Sequence, residues 1–161
     1  MSMVVGYPIA AEARDLELYQ LLCEVAASPR IARLASRLPR LERLRGVFEA
    51  SEVSRRLIAV AVTSRSVMDV DARAKAVLRV SKQAVGSLTP DVDKETAKTD
   101  LTFREACNKI IHAQGVKLHD GRKGSSPTLR PLVSLLGFKG KLCWEAEVDI
   151  LEFLNAAHDL P

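Results

Sequence analysis

The apolar positions in the first half of the chain recur at helical spacing. A first helix is predicted over Ile9–Ala27, and Pro29 is expected to end or interrupt it because proline lacks the amide hydrogen that a helix interior needs. Its apolar face is formed by Leu16, Tyr19, Leu22 and Cys23. A second apolar stripe then keeps helical spacing through Pro39, a residue suited to the first turn of a new helix. This stripe consists of Leu34, Leu38, Leu41 and Phe48.

The middle of the chain predicts two more helices followed by a loop. Val53–Val70 is apolar on more than one face, which is typical of a central helix. Asp71 is a suitable N-cap for a further helix that runs to about Val85, before Gly86. Gly86–Leu101 combines Ser-Leu-Thr-Pro with alternating charges and threonines, so we expect a loop there.

The strongest local signal is a helix between Thr102 and Gly115. Thr102 and Glu105 form a capping box, in which each side chain satisfies a free backbone N–H at the start of the helix. Gln114 and Gly115 supply its end. The predicted buried face comprises Phe103, Ala106, Cys107, Ile110 and Ile111.

The C-terminal part predicts strands and one last helix. Val116–His119 is a possible short strand, and Leu129–Leu136 and Lys141–Val148 predict a hairpin joined through residues 137–140. Asp149 and Glu152 form a second capping box, which opens a final helix at Ile150–His158.

Together these elements predict a mainly α fold of the α+β class. We expect an N-terminal helical bundle, a small C-terminal β-hairpin or sheet, and a terminal helix. With 161 residues the chain is about one domain long, so we expect a helical part at residues 9–86, a loop at 87–101 and an α/β cap at 102–161 of a single domain.

Composition narrows the class of protein. No apolar run approaches the roughly 20 residues that span a bilayer, and the N-terminus lacks the pattern of a signal peptide. The three cysteines are dispersed among apolar residues, which favours reduced core thiols and a cytoplasmic protein. The dispersed cysteines and histidines have no metal-ligand spacing, and no glycine fingerprint for a nucleotide is present, so we expect neither metal nor cofactor.

One polar stripe is a candidate catalytic site. Arg104, Asn108 and His112 lie four residues apart and therefore share one face of the predicted helix, beside a Glu105–Lys109 pair. A histidine next to a cation and an amide can act as a general base on an RNA 2′-hydroxyl while the arginine holds the phosphate. The alternative is the ordinary polar face of an amphipathic helix, with His112 bonded to a carbonyl of the following hairpin.

The run Cys107-Asn108-Lys109-Ile110-Ile111-His112-Ala113, late in a mainly helical chain, resembles the signature of HEPN domains, which are small helical bundles found in prokaryotic ribonucleases and toxin–antitoxin systems. Asn108 and His112 match two positions of that signature, whereas Cys107 stands where the family has an arginine. The resemblance implies a HEPN-like fold with a degraded active site that binds rather than cleaves.

Basic residues suggest two further sites. Arg30, Arg33, Arg37 and Arg40 follow helical spacing and can meet phosphates or an acidic protein surface. No aromatic residues are interleaved with them for base stacking. In the loop at residues 121–126, Arg122 and Lys123 can contribute to binding an anion.

Three hypotheses about function follow. The first is a non-enzymatic protein-binding module of the immunity or antitoxin type, which neutralises or modulates a partner protein with an acidic surface. The second is a HEPN-like ribonuclease or RNA-binding protein that uses His112, Asn108 and Arg104. The third is nucleic-acid binding through the basic face at Arg30–Arg45.

Overall fold

The computed structural model describes residues 11–94, 96–122 and 127–161, with side chains described outside residues 11 and 120–130. In this part the chain forms five helices and five strands. In chain order they are α1 (Ala11–Ala35), α2 (Pro39–Val70), α3 (Lys75–Ser81), β1 (Ala84–Thr89), β2 (Thr99–Thr102), α4 (Phe103–His112), β3 (Gly115–Arg122), β4 (Pro127–Lys139), β5 (Leu142–Asp149) and α5 (Ile150–His158). The predicted fold class, mainly helical α+β, is confirmed.

Helices α1 and α2 pack against each other as a long antiparallel hairpin. Pro39 occupies the first turn of α2, as predicted, but α2 then continues unbroken to Val70 instead of dividing near Val53. The prediction that Pro29 ends or interrupts the first helix is wrong, because α1 continues through this proline to Ala35. The residues after Pro29 include the buried Ala32 and Ala35. Their packing offsets the free-energy cost of the backbone hydrogen bond that proline cannot make.

The apolar faces assigned to the first two helices are also wrong. In α1 the buried residues are Leu18, Leu21 and Val25, whereas the predicted set of Leu16, Tyr19, Leu22 and Cys23 is exposed. The second stripe is exposed as well, at Leu34, Leu38, Leu41 and Phe48. Both helices therefore carry more apolar surface than their mutual contact covers.

The five strands form one antiparallel sheet in the order β2-β1-β5-β4-β3. Strands β1 and β2 overlap the two ends of the segment predicted to be a loop, so that prediction is wrong at both of its ends. The preceding helix is also shorter than predicted, since α3 ends at Ser81. The sheet is consequently larger than the predicted hairpin.

One face of the sheet carries the core. The side chains of Trp144, Ala146 and Val148 alternate with polar residues along β5 and are buried, as the alternation predicts. Helices α1, α4 and α5 contact strand β4 on this core. The buried guanidinium group of Arg14 donates hydrogen bonds to the carbonyl oxygens of Leu160 (3.1 Å) and Pro161 (3.3 Å), which joins the first helix to the last residues of the chain.

The predicted N-caps Thr102 and Asp149 are confirmed, whereas the prediction that Asp71 caps a helix is wrong, because Asp71 is the C-cap of α2 and α3 begins after Ala74. The Thr102 hydroxyl accepts a hydrogen bond from the Glu105 amide at 3.4 Å, and Asp149 accepts from the amides of Leu151 and Glu152 at 2.9 and 3.1 Å. Among the described residues no helix is long and apolar enough to cross a membrane.

Candidate functional site

The polar stripe of α4 faces the C-terminal half of α2. Arg104 donates to Asp69 at 2.6 Å, and Asn108 accepts a hydrogen bond from Arg65 through its side-chain oxygen. Arg65 also donates to Asp69 at 2.9 Å. These four side chains, which we call the α2–α4 clasp, join the two helices through a shared carboxylate, and two of them are the predicted catalytic residues Arg104 and Asn108.

His112 does not enter the α2–α4 clasp. It is the last residue of α4, and its side chain is exposed. The structure therefore brings Arg104 and Asn108 together with α2 and leaves His112 at the helix end. The predicted catalytic roles of the three residues stay a prediction.

Cys107, which directly precedes Asn108 on α4, points into the core. It is fully buried, and burial raises the pKa of its thiol to about 12, although the nearby Arg65 and Arg104 lower it. A thiol with this pKa stays protonated at neutral pH and is a poor nucleophile. An arginine at this position, where the HEPN signature has one, would have to be buried as well.

Lys109 attaches the same helix to the sheet. Its ammonium group lies 4.1 Å from the centroid of the Trp144 ring rather than in the expected ion pair with Glu105, and burial lowers the pKa of Lys109. The Trp144 ring lies over Gly137 on the neighbouring strand, where an added Cβ atom would be 2.2 Å from the ring. A side chain at residue 137 would thus displace both the tryptophan and its lysine.

The acid sensitivity of the α2–α4 clasp follows from Asp69. Hydrogen bonds from Arg65 and then from Arg104 hold the pKa of this carboxyl below its usual value. Its stabilising contribution is therefore present above the unfolded-state pKa, about 3.9, and is lost as pH falls through the lower folded-state pKa.

We expect urea denaturation of the wild-type chain to show a midpoint that falls between about pH 5 and pH 3, with a shallower fall in Asp69→Asn. The pH-dependent change in the free energy of unfolding should differ between the wild type and Asp69→Asn by less than about 1 kcal/mol, because the Asp69 carboxyl is half exposed to solvent. Asp93→Asn, at an exposed loop carboxyl, is the control. An identical pH profile for Asp69→Asn and the wild type would contradict the role of this carboxylate.

A second polar cluster crosses the sheet on the face opposite the core. Glu147 accepts hydrogen bonds from Lys98 at 2.6 Å and Ser87 at 3.2 Å, and the hydrogen bond from Lys98 lowers its pKa. Beside it the Nε2 atom of His119 lies 2.7 Å from the Ser134 hydroxyl oxygen. No local spacing predicts this cluster, because its members come from distant parts of the chain. Among the described residues no group of histidine, cysteine or carboxylate side chains is arranged to hold a metal.

The predicted arginines lie at the tip of the α1–α2 hairpin. Arg30, Arg33, Arg37 and Arg40, which we call the basic collar, are all exposed. Within the part of the chain that the structure describes, none of their guanidinium groups takes part in an ion pair. The predicted anion-binding loop at Arg122 and Lys123 falls on side chains outside the described residues.

An apolar groove of about 490 Å³ lies next to the basic collar, between the C-terminal half of α1 and the N-terminal half of α2. We call it the tip groove. Its apolar lining consists of Ile31, Leu34, Ala35, Leu41, Leu44 and Phe48. Apart from Ala35, each of these side chains is about half exposed, so the groove is open to a partner. The residues of the α2–α4 clasp and His112 do not line it.

The acidic residues in the wall of the tip groove are already paired. Arg45 donates to Glu49 at 2.9 Å, Arg56 donates to Glu24 at 2.7 Å, and Arg55 donates to Glu52 at 3.1 Å. Arg45 and Arg56 are therefore each engaged by carboxylates of the hairpin. The four collar arginines and the neighbouring Arg43, in contrast, are exposed and have no ion pair among the described residues.

Comparisons with protein-family models, with curated proteins and with solved structures found no match to this chain.

Proposed function

We propose that the protein is a non-enzymatic binding module that uses the tip of its α1–α2 hairpin to hold a partner protein. The observation that supports this proposal most is the tip groove, an open apolar surface at the end of the hairpin that also carries the exposed basic collar. Soluble proteins rarely keep a large apolar patch exposed unless another molecule covers it.

The exposed residues of the tip match the composition of binding surfaces. Interface centres are apolar and often contain an aromatic residue and arginine, surrounded by a polar rim. At the tip, Phe48 and Leu34 line the open groove, and Arg33, which directly precedes Leu34 in the chain, is exposed. By contrast, two of the predicted catalytic side chains are occupied by α2, which favours binding over catalysis.

We propose further that the module acts as immunity proteins and antitoxins do, by neutralising or modulating its partner. A charged collar speeds association with an oppositely charged protein surface, which suits rapid inhibition. The assignment to the immunity or antitoxin type is supported by the position of the tip groove, whose lining contains none of the predicted catalytic residues Arg104, Asn108 and His112.

The test is site-specific photo-crosslinking of the full chain in its native host. A photoreactive amino acid replaces Leu34 or Phe48 at the tip, or Leu78 on α3, which is similarly exposed but distant in the chain. We expect one protein to crosslink from both tip positions and not from Leu78. Crosslinks to RNA, or equal crosslinking from Leu78, would contradict the proposal.

The double variant Leu34→Asp/Phe48→Asp is expected to lose binding of the captured partner by 100-fold or more while unfolding at nearly the wild-type urea concentration. The reason is that both side chains are exposed, at 59% and 55%, so charging them affects the interface and leaves the core intact. Isothermal titration with the purified partner measures the binding loss, and an enzymatic or growth assay of the partner measures neutralisation. Wild-type affinity in the variant would exclude the tip as the binding surface.

A further inference from the structure

We infer that the occupant of the tip groove is a single amphipathic helix with an apolar stripe and acidic residues along both of its edges. This inference deepens the proposed function and depends on it, since it names the chemistry of the partner segment that the tip would hold.

The dimensions of the groove favour a helix. Its lining extends over Glu24–Ala35 on α1 and over Leu41–Glu52 on α2. Each stretch rises about 17 Å along its helix axis, at 1.5 Å per residue, which corresponds to about three turns. A third helix laid between two others presents residues at i, i+3 or i+4, and i+7 to such a groove.

Charge then selects the edges of that helix. Three collar residues directly precede residues of the groove lining: Arg30 before Ile31, Arg33 before Leu34, and Arg40 before Leu41. Consecutive residues of a helix point about 100° apart, so these cations lie on the flanks of α1 and α2 beside the lining residues rather than in the lining itself. Carboxylates on the two edges of the bound helix would meet them, and arginine pairs with carboxylates in a bidentate geometry.

The same charges disfavour other occupants. A second copy of this chain would bring two basic collars together, while its acidic groove residues Glu24 and Glu49 are already held by arginines. A nucleic acid would meet a floor of aliphatic side chains with one aromatic ring, Phe48, where single-strand binding uses several rings for stacking.

The experiment measures binding of two fluorescent peptides, each of 16 residues, to the full chain by anisotropy. Both carry leucines at i, i+3, i+7 and i+10. One has glutamates on both edges of the apolar stripe, and the other has lysines at the same positions. We expect the glutamate peptide to bind at least tenfold more tightly at low salt, with an advantage that shrinks as salt is raised.

Charge reversal supplies the second readout. The variant Arg30→Glu/Arg33→Glu/Arg40→Glu is expected to reverse the preference and bind the lysine peptide more tightly. The matched control, Lys75→Glu/Arg79→Glu/Lys82→Glu, reverses three exposed cations on or next to α3 and should keep the wild-type preference. Circular dichroism of each variant verifies that it folds.

Several outcomes would overturn the inference. One is equal binding of the two peptides, another is a dimer in sedimentation that disappears in Leu34→Asp/Phe48→Asp, and a third is displacement of the peptide by an RNA oligonucleotide. If neither peptide binds but Leu34 and Phe48 still crosslink to one host protein, the acidic helix is wrong and the proposed function remains. If those crosslinks are missing too, both fail.

Discussion

Gly86→Ala is expected to lower the free energy of unfolding by about 3 kcal/mol, near the upper end of the usual range for overpacking. A Cβ atom on residue 86 would lie 1.9 Å from the backbone carbonyl oxygen of Glu147, which is fixed in the sheet. Gly86 pairs with Val148 in the β1–β5 ladder, so relief of the clash requires these two strands to separate. Urea denaturation followed by circular dichroism measures the change.

Gly46→Ala is the matched control, and its expected effect has the opposite sign. Nothing lies within 4 Å of a Cβ atom built at residue 46, which is inside α2. Alanine stabilises an exposed helix interior by about 1 kcal/mol relative to glycine. A loss at Gly86→Ala no larger than about 0.5 kcal/mol would show that β1 and β5 are not packed as described.

Phe103→Ala is expected to cost about 4 kcal/mol, as is typical of a fully buried phenylalanine. Phe103 is the first residue of α4, has no exposed surface, and lies 5.1 Å from the ring of Phe153 in α5, measured between centroids. Its removal leaves a cavity where α4, α5 and the core meet. Thermal denaturation should show a large drop in Tm.

The control for this cavity is Phe138→Ala. Phe138 is 58% exposed on β4, so its truncation should change stability by about 0.5 kcal/mol or less. If the two variants had equal stability, Phe103 would not occupy the core.

The helices α4 and α5 were predictable because their signals are local. Thr102 and Asp149 each cap a helix within three residues, so the contact that starts the helix is encoded beside it. The alternation along β5 was equally local, since it reflects which side of the strand meets the core.

Strand β1 was missed for the opposite reason. The sequence Ala-Val-Gly-Ser-Leu-Thr at residues 84–89 has weak strand propensity, and glycine is disfavoured in strands. Its strand conformation depends on pairing with Glu147 and Val148, about sixty residues later. Such a partner leaves no trace in a window of local sequence.

The faces of α1 and α2 were misjudged because two apolar stripes compete on each helix. In α1 the stripe of Leu18, Leu21 and Val25 is buried, and the neighbouring stripe with Leu16 and Tyr19 is exposed. Helical spacing identifies both stripes, and only the packing of the second helix decides between them. Of the exposed stripes, the second one lines the proposed binding surface, at Leu34, Leu41 and Phe48.

Only the α4 half of the α2–α4 clasp could be predicted from the sequence. Spacing correctly placed Arg104 and Asn108 on one face of α4, but their partners lie on α2. Arg65 and Asp69, four residues apart, form an ion pair that the sequence alone suggests. That this pair would also bind α4 depends on how the two helices cross, which no local pattern specifies.

The order of the strands has a consequence for biosynthesis. The hairpin of α1 and α2 pairs neighbouring segments, so it can fold on the ribosome as soon as both helices have left the exit tunnel. Strand β1 must wait for β5, about sixty residues and therefore roughly 3–12 seconds later at common translation rates. During that interval Val85 and Leu88 lack their final cover. Slower folding and a dependence on chaperones during rapid overexpression are the expected cost of placing β5 at the centre of the sheet.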